Sequence, residues 1–126
     1  MTGELPYWLS QQIDAAETRT RELLVEAQRT SLTLRDPKLL GRYIPGWHGW
    51  PEVERTCQAR LAEIAAMRAI LAEHSPNTAG TRTVCSVCAE EPYYDATWYD
   101  YPCPTVRLLA AAFSAEPGYR TEWGPQ

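Results

Sequence analysis

Apolar residues recur every three or four positions over the first quarter of the chain, a spacing typical of an amphipathic helix. No Gly or Pro interrupts the pattern between Pro6 and Leu34, and Pro6 suits the first turn of a helix. Asp36-Pro37 then favours a stop. The pattern therefore predicts a helix over residues 6–34. Its apolar stripe comprises Leu9, Ile13, Ala16, Leu23 and Ala27.

A second stripe predicts a helix over residues 51–74, after a loop at residues 35–50 that is rich in Pro and Gly. Pro51 fits the first helical position, and Glu52 places negative charge where the helix dipole favours it. The same period puts His74 at the end of this helix. The stripe itself comprises Val53, Cys57, Leu61, Ile64, Met67 and Leu71.

The last third of the chain predicts one shorter helix among irregular segments. Residues that favour turns fill the connection after the second helix, and we expect Val84–Cys88 to form a knuckle turn rather than a short strand. Five aromatic residues stand among acidic ones in the following segment. A third helix is predicted over residues 104–115, and Pro117-Gly118 ends it.

The composition predicts a compact but thin core. The chain of 126 residues has five Trp, seven Tyr and ten Pro, whereas Leu, Ile, Val and Phe are scarce. We therefore expect the tail at residues 116–126 to dock on the helices through Tyr119 and Trp123, whose rings supply apolar area. Small domains that are short of core often add a metal or disulfides, and this chain has four Cys.

Charge and hydropathy argue against two kinds of partner. The formal net charge is −4, and residues 1–35, 51–74 and 75–103 each hold more acid than base, which disfavours binding to nucleic acid. No stretch approaches the length of an apolar membrane span, and the N-terminal residues lack the features of a signal peptide. We expect a cytoplasmic protein that has no membrane partner and no persistent disulfides.

Three Cys and one His have the types and the spacing of a structural zinc site. A tight turn within Cys85-x-x-Cys88 brings both sulfurs onto one metal at about 2.3 Å. His74 ends the second predicted helix and Cys103 begins the third, so one ion would tie two helix ends to the knuckle. The sequence therefore predicts a structural zinc cofactor held by His74, Cys85, Cys88 and Cys103.

Cys57 competes with His74 for the fourth ligand position. Both lie on one predicted helix, roughly 25 Å apart at a rise of about 1.5 Å per residue, so they cannot reach the same ion. The short separation in sequence between His74 and Cys85 favours His74. Cys57 is expected to be a buried, inert thiol.

No catalytic residue is predicted. A catalytic zinc keeps an open position beside an acid or a base, and the His-x-Glu with Pro-Cys-x-x-Cys pattern of base deaminases is missing from the sequence. Glu90-Glu91-Pro92 follows the Cys pair where a thioredoxin-like site needs a helix. His48 is too isolated to serve as a general base. The alternative is a zinc enzyme with an open metal site, in which His74 or Cys103 is not a ligand.

Two aromatic clusters are candidates for binding. Trp47-His48-Gly49-Trp50 could be a ligand platform, and the acidic aromatic segment could bind a partner protein, since Tyr and Trp supply rigid contact area. Both clusters could instead cap the helices and shield the metal. The candidate partner-binding residues are Tyr93, Tyr94, Trp98, Tyr99 and Tyr101.

The segments LAEIAAMRAILAEH, PCPTVRLLAAAFS and PGYRTEW, taken with the Cys-x-x-Cys pair, resemble an uncharacterised family of small proteins from actinobacteria and their phages, the domain of unknown function 6221. The likeness covers most of the chain except the loop from about residue 30 to 50. The sequence departs from the family at Trp50, where Asp is usual, and at Met67, where Lys is expected. The resemblance implies the source and a zinc-binding architecture, and it implies no activity. The family's His and Cys motif maps onto His74, Cys85, Cys88 and Cys103.

These patterns together predict a mainly α fold: a single three-helix bundle-like domain over residues 1–126, with a zinc-knuckle insertion at residues 75–103 and aromatic-rich loops. The first two helices are expected to be antiparallel. We predict a non-enzymatic, zinc-stabilised protein-interaction module, an accessory or host-interacting protein of an actinobacterium or actinophage. A zinc enzyme and a zinc-knuckle nucleic-acid binder are the alternatives. The sequence leaves the oligomeric state open.

Overall fold

The computed structural model describes residues 4–33, 50–79, 82–88 and 101–124, which are mainly helical. The elements in chain order are helix α1 (Glu4–Thr33), helix α2 (Trp50–Glu73), strand β1 (Pro76–Ala79), strand β2 (Arg82–Cys85), helix α3 (Pro104–Ala111) and a 3-10 helix (Thr121–Trp123). The predicted fold class is confirmed, because a small hairpin and a knuckle turn separate the second helix from the third. No helix in these described ranges is both long and apolar enough to cross a membrane.

Helix α3 is shorter than the predicted helix over residues 104–115. After Ala111 the N–H groups of Ala112, Phe113 and Ser114 each donate to the carbonyl three residues earlier, at 3.2, 2.9 and 3.1 Å. Such bonds belong to the tighter 3-10 geometry that often closes an α-helix. The tightened turn accompanies burial of the Phe113 ring, which is 5% exposed.

A two-stranded hairpin occupies the connection that was predicted to be irregular. Strands β1 and β2 pair antiparallel, with Pro76 opposite Cys85 and Ala79 opposite Arg82. The expectation of a knuckle turn rather than a strand over Val84–Cys88 is therefore wrong for Val84 and Cys85, which belong to β2, and the knuckle turn occupies residues 86–88. The signal for the hairpin was a pair of short runs containing Thr, separated by two residues that include a Gly.

The chain divides into two compact units, one of Met1–Asp14 with Ala66–Gln126 and one of Ala15–Ala65. In the second unit the buried hydrophobic side chains are Ala16, Ala27, Cys57 and Ile64. Leu23 was predicted to lie on the apolar stripe of α1, but it is 51% exposed. The inward-facing row passes through the half-buried Thr20 and Leu24 instead, because they continue the three- and four-residue spacing between Ala16 and Ala27.

An aromatic cluster fixes the tail within the first unit. The Trp8 ring lies 5.3 Å from the ring of Trp123 and 5.8 Å from that of Tyr119, and these two tail rings are 6.0 Å apart at 81°. The indole Nε1 of Trp8 also donates to the carbonyl of Pro117 at 3.0 Å. Trp123 is 8% exposed, which confirms the predicted burial of its ring.

Gly118 closes the turn that leads the chain back to Trp8, and replacing it by Ala is expected to lower the free energy of unfolding by about 1–3 kcal/mol. Its φ of +89° disfavours any L side chain, and an added Cβ would lie 2.8 Å from Trp8 Nε1. Urea denaturation measures the loss. Gly124→Ala is the comparison and should cost less, because Gly124 has φ −62° and its added Cβ would lie 3.2 Å from the Thr121 carbonyl oxygen rather than 2.8 Å from a ring. Equal stability of the Gly118→Ala variant and the wild type would contradict the expectation.

Candidate metal centre

The four predicted ligands are brought together from four places in the first unit. His74 follows α2 directly, and its N–H still donates to the Ile70 carbonyl at 3.0 Å. Cys85 ends β2, and Cys88 ends the turn after it. Cys103 is the N-cap residue of α3, with Pro104 in the first turn of that helix. The cluster therefore lies where a helix end, a strand end, a turn and a helix start meet.

The donor atoms surround a single point. Nδ1 of His74 lies 3.4 Å from Sγ of Cys85, 3.6 Å from Sγ of Cys88 and 3.5 Å from Sγ of Cys103. All four donor atoms lie within 4.8 Å of one another. The four Cys of the chain are free thiols rather than disulfides. Three sulfurs and one imidazole nitrogen at these separations fit a tetrahedral metal ion.

Ser75 and Ser86 form hydrogen bonds that connect the end of α2 to the knuckle turn. The Ser86 N–H donates to the Ser75 carbonyl at 2.9 Å, and the Ser86 hydroxyl donates to the Glu73 carbonyl at 2.8 Å. The two hydroxyl oxygens are 3.2 Å apart. These bonds satisfy a carbonyl at the C-terminal end of α2 and hold His74 against the knuckle. No sequence pattern indicates the role of either serine, although Ser86 stands inside the Cys-x-x-Cys pair.

Two backbone N–H groups stabilise negative charge on the sulfur of Cys85. Burial alone would raise the pKa of this thiol, but hydrogen bonds from the N–H groups of Cys88 and Val87 outweigh it, with help from His74 and Cys103, and lower the pKa to about 7. The backbone of the tight Cys-x-x-Cys turn thus favours the thiolate form of Cys85.

The other two thiols resist ionisation in the absence of a cation. Burial and the neighbouring Cys85 and Cys103 raise the pKa of Cys88 to about 12. Burial also raises the pKa of Cys103, although the N–H of Val106 at the start of α3 opposes the shift. Like charges this close disfavour one another, so a cation is required if all three thiols are to be thiolates together.

Tyr101 packs beside the sulfurs and is not a surface residue. Its side chain is 3% exposed. Its N–H donates to the Thr83 carbonyl at 3.0 Å, so the residues just before α3 are hydrogen-bonded to strand β2. Burial, followed by the charges of Cys103 and Cys85, raises the pKa of its hydroxyl to about 12. That hydroxyl has no hydrogen-bond partner within the part of the chain that the structure describes. Tyr101 therefore lacks the exposed ring expected of a partner-binding residue in the free chain.

Cys57 is not one of the clustered donors, as the sequence predicts. It is 3% exposed on α2 and belongs to the second unit.

Apart from Tyr101, the candidate aromatic binding residues lie outside the described residues. They are Tyr93, Tyr94, Trp98, Tyr99, Trp47, His48 and the side chain of Trp50.

Arg107 connects the start of α3 to the tail, a role that no sequence pattern indicates. Its Nε donates to the Pro102 carbonyl at 3.1 Å, and its Nη1 donates to the carbonyls of Glu122 at 2.9 Å and Gly124 at 3.4 Å. A charged donor on neutral carbonyls makes stronger hydrogen bonds than a neutral one. Arg107 thus joins the segment that carries Cys103 to the 3-10 helix that carries Trp123.

The comparisons with known proteins give a family and no activity. No curated protein and no solved structure matches the chain. A family model described as a family of unknown function, DUF6221, matches residues 2–125. The match includes all four residues of the metal cluster, and the resemblance stated from the sequence is confirmed. The chain belongs to the DUF6221 family.

Proposed function

We propose that this chain is a non-enzymatic protein-interaction module whose fold is held by a structural zinc ion at His74, Cys85, Cys88 and Cys103. The observation that carries the proposal is the nearly equal spacing, 3.4 to 3.6 Å, between His74 Nδ1 and the three sulfurs. The scarcity of Leu, Ile, Val and Phe in the sequence gives such a module a physical need for a metal.

The size of the cluster favours zinc. With Zn–N at about 2.0–2.1 Å and Zn–S at about 2.3 Å, a tetrahedral angle separates nitrogen from sulfur by about 3.6 Å. The observed separations agree with that value. Thiolates with an imidazole form a donor set that zinc binds in structural sites. Iron is the main competitor for tetrahedral sulfur-rich sites, so the metal must be identified directly.

The closed arrangement supports a structural role over a catalytic one. An open catalytic site needs a vacant coordination position for water, which would require one of the four donors to stand away from the others. His74 and Cys103 are the residues that the zinc-enzyme alternative would remove from the ligand set. Their donor atoms lie 3.5 Å apart, and His74 is equally close to the Cys85–Cys88 pair.

The interaction role rests on apolar side chains that the free chain leaves in solvent. In the first unit Tyr7 is 67% exposed, Leu108 60% and Val87 42%. Leu108 and Val87 belong to elements that the metal cluster holds, α3 and the knuckle turn. Exposed apolar side chains on ordered elements suit contact with another protein. The cytoplasm of an actinobacterium or of a phage-infected host, as the resemblance implies, is part of this proposal.

Native mass spectrometry of freshly purified protein is expected to show one zinc ion for each chain. Zinc-edge X-ray absorption should then fit three sulfurs and one nitrogen, because all four protein donors are in reach of one ion. An oxygen in the first coordination sphere would favour the zinc enzyme. Iron, or no metal, would overturn the proposed cofactor.

Trp98→Ala is expected to abolish capture of a partner from a host lysate while leaving the melting temperature nearly unchanged. Aromatic residues at the centre of an interface contribute more to a complex than to the free fold. Leu23→Ala is the control, since it removes an exposed apolar side chain that lies outside both the segment of residues 93–101 and the first unit. A large fall in the melting temperature of the Trp98→Ala variant would identify that segment as core cover and contradict the interaction role. Capture that weakens steeply with salt and survives only with nucleic acid present would favour the nucleic-acid binder.

A further inference from the structure

We propose that Cys88 is a modification site for peroxides, and that its oxidation converts the Cys85–Cys88 pair into a disulfide and releases the metal. This inference rests on the proposed zinc site and adds that oxidation controls whether the site binds zinc. It depends on three features of the cluster: unequal access to its sulfurs, the closeness of Cys85 to Cys88, and the number of elements that the metal connects.

Only one of the three cluster thiols is open to solvent. Cys85 and Cys103 are both 0% exposed, whereas Cys88 is partly exposed at the end of the turn. The residues before it in that turn, Ser86 and Val87, are exposed as well. A small oxidant that approaches from solvent therefore meets the sulfur of Cys88 first. Peroxides oxidise accessible thiolates, and Cys88 would be a thiolate only in the zinc-loaded chain, where the cation offsets the neighbouring negative charges.

A second thiol lies within reach of the first. The sulfurs of Cys85 and Cys88 both approach His74 Nδ1, at 3.4 and 3.6 Å, and they lie within 4.8 Å of each other. The two residues bound a single turn, so they can close to a disulfide without rearranging an element of secondary structure. Cys103 is anchored separately at the N-terminus of α3.

The chemistry needs only hydrogen peroxide as the oxidant. The Cys88 thiolate attacks one peroxide oxygen; an S–O bond forms, the O–O bond breaks, and the departing hydroxide takes a proton to become water. The Cys85 thiolate then attacks the Cys88 sulfur, an S–S bond forms, and the hydroxyl group leaves as a second water after taking a proton. The two sulfurs together lose two electrons to the peroxide. The disulfide would no longer supply two of the four protein donors, so only His74 and Cys103 would remain to hold the zinc.

Loss of two donors disconnects the elements that the ion holds. His74 lies at the end of α2, and Cys103 precedes α3, which contacts the tail through Arg107. Because metal binding and folding are coupled in small zinc modules, release of the ion should loosen α3 and the tail. Oxidation at Cys88 would thus disorder helix α3, which presents the exposed side chain of Leu108.

The test treats the zinc-loaded full chain with excess hydrogen peroxide, while a chromogenic zinc indicator follows release of the ion. Free thiols are then blocked with N-ethylmaleimide, and peptide mapping locates the oxidised residues. We expect zinc to leave in parallel with a Cys85–Cys88 disulfide, and dithiothreitol with added zinc to restore the starting form. Cys57→Ser is the control variant, and it should release zinc at the wild-type rate because Cys57 lies outside the cluster.

Limited alkylation of the zinc-loaded wild type gives a second measurement that needs no variant of a ligand. Substoichiometric iodoacetamide should label Cys88 before Cys85, Cys103 or Cys57, since Cys88 is the one thiol of the four that is not buried. First labelling of another Cys, a Cys88–Cys103 disulfide, or zinc retained under excess peroxide would overturn the inference. These results would leave the proposed zinc site standing, whereas absence of zinc from the purified protein would remove the site itself.

Discussion

Replacing Cys85 or Cys88 by Ser is expected to abolish metal binding and to unfold the first unit. Each sulfur is one of four donors around a single point, and a Ser hydroxyl is a poor substitute for a thiolate ligand. Structural zinc contributes an apparent free energy on the order of 10 kcal/mol in small zinc modules. A whole domain has a net stability of only about 5–15 kcal/mol. Losing the metal therefore removes most of the stability available to a unit with so thin a core.

Cys57→Ser makes the same change of sulfur to oxygen at a residue that is not a ligand. Cys57 is 3% exposed in the middle of α2, where a Ser hydroxyl can bond to the carbonyl one turn earlier. We expect this variant to lose about 1–2 kcal/mol and to keep its metal. Far-ultraviolet circular dichroism, thermal melting and metal analysis should separate it clearly from the two ligand variants.

A chelator of high zinc affinity should reproduce the effect of the ligand variants in the wild type and in Cys57→Ser. It should have little further effect on Cys85→Ser and Cys88→Ser, which have already lost the ion. Similar thermal shifts for all three variants would show that the cluster does not hold the fold. Retained metal in either ligand variant would show that the remaining donors bind it without that sulfur.

The ligand set could be predicted from the sequence because its chemistry is local. The Cys85-x-x-Cys88 spacing restricts the turn, and the apolar period of α2 puts His74 where that helix ends. Cys103 follows from the Pro that begins α3. Each of these features depends on a few neighbouring residues, which sequence patterns describe well.

The features that sequence analysis missed depend on contacts between distant segments. The Trp8 indole N–H donates to the carbonyl of Pro117, and the ring packs so close to Gly118 that no side chain fits there. Arg107 was a single charge on an apolar helix, and its three carbonyl acceptors lie in segments on both sides of α3. The periodicity of apolar residues in a sequence does not indicate contacts between such distant segments. The exposure of Leu23 is of the same kind, since a small rotation of an amphipathic stripe decides which of two adjacent leucines faces inward.

The aromatic cluster of Trp8, Tyr119 and Trp123 supplies core packing outside the His/Cys cluster. Trp8 comes from the first turns of α1, and its two partner rings come from the end of the chain. Aromatic pairs at such distances contribute about 0.5–1.5 kcal/mol each beyond the area that they bury. The cluster therefore joins the two ends of the first unit's sequence, and the tail should matter for stability although it holds little regular structure.

Deleting residues 119–126 is expected to lower the free energy of unfolding by at least about 3–5 kcal/mol, the loss typical of truncating a single buried Trp. The deletion removes the rings of Tyr119 and Trp123 from Trp8 and the Glu122 and Gly124 carbonyls from Arg107. Urea denaturation of the zinc-loaded protein gives the difference, and the melting temperature should fall by roughly 10 °C or more. Trp123→Ala alone should produce most of this loss, because its ring is 8% exposed.

Arg120→Ala is the matched control for the deletion, because it removes the ion pairs of Arg120 and leaves the rings of the tail in place. Arg120 pairs with Glu4 and Glu122 and lies 5.4 Å from the centre of the Trp123 ring, but its side chain is 49% exposed. Exposed ion pairs and cation–π contacts contribute about 1 kcal/mol or less. We therefore expect Arg120→Ala to retain nearly the full stability while Trp123→Ala does not. A truncated chain as stable as the full one would mean that Trp8 packs equally well without the tail, and the docking would then have no energetic role.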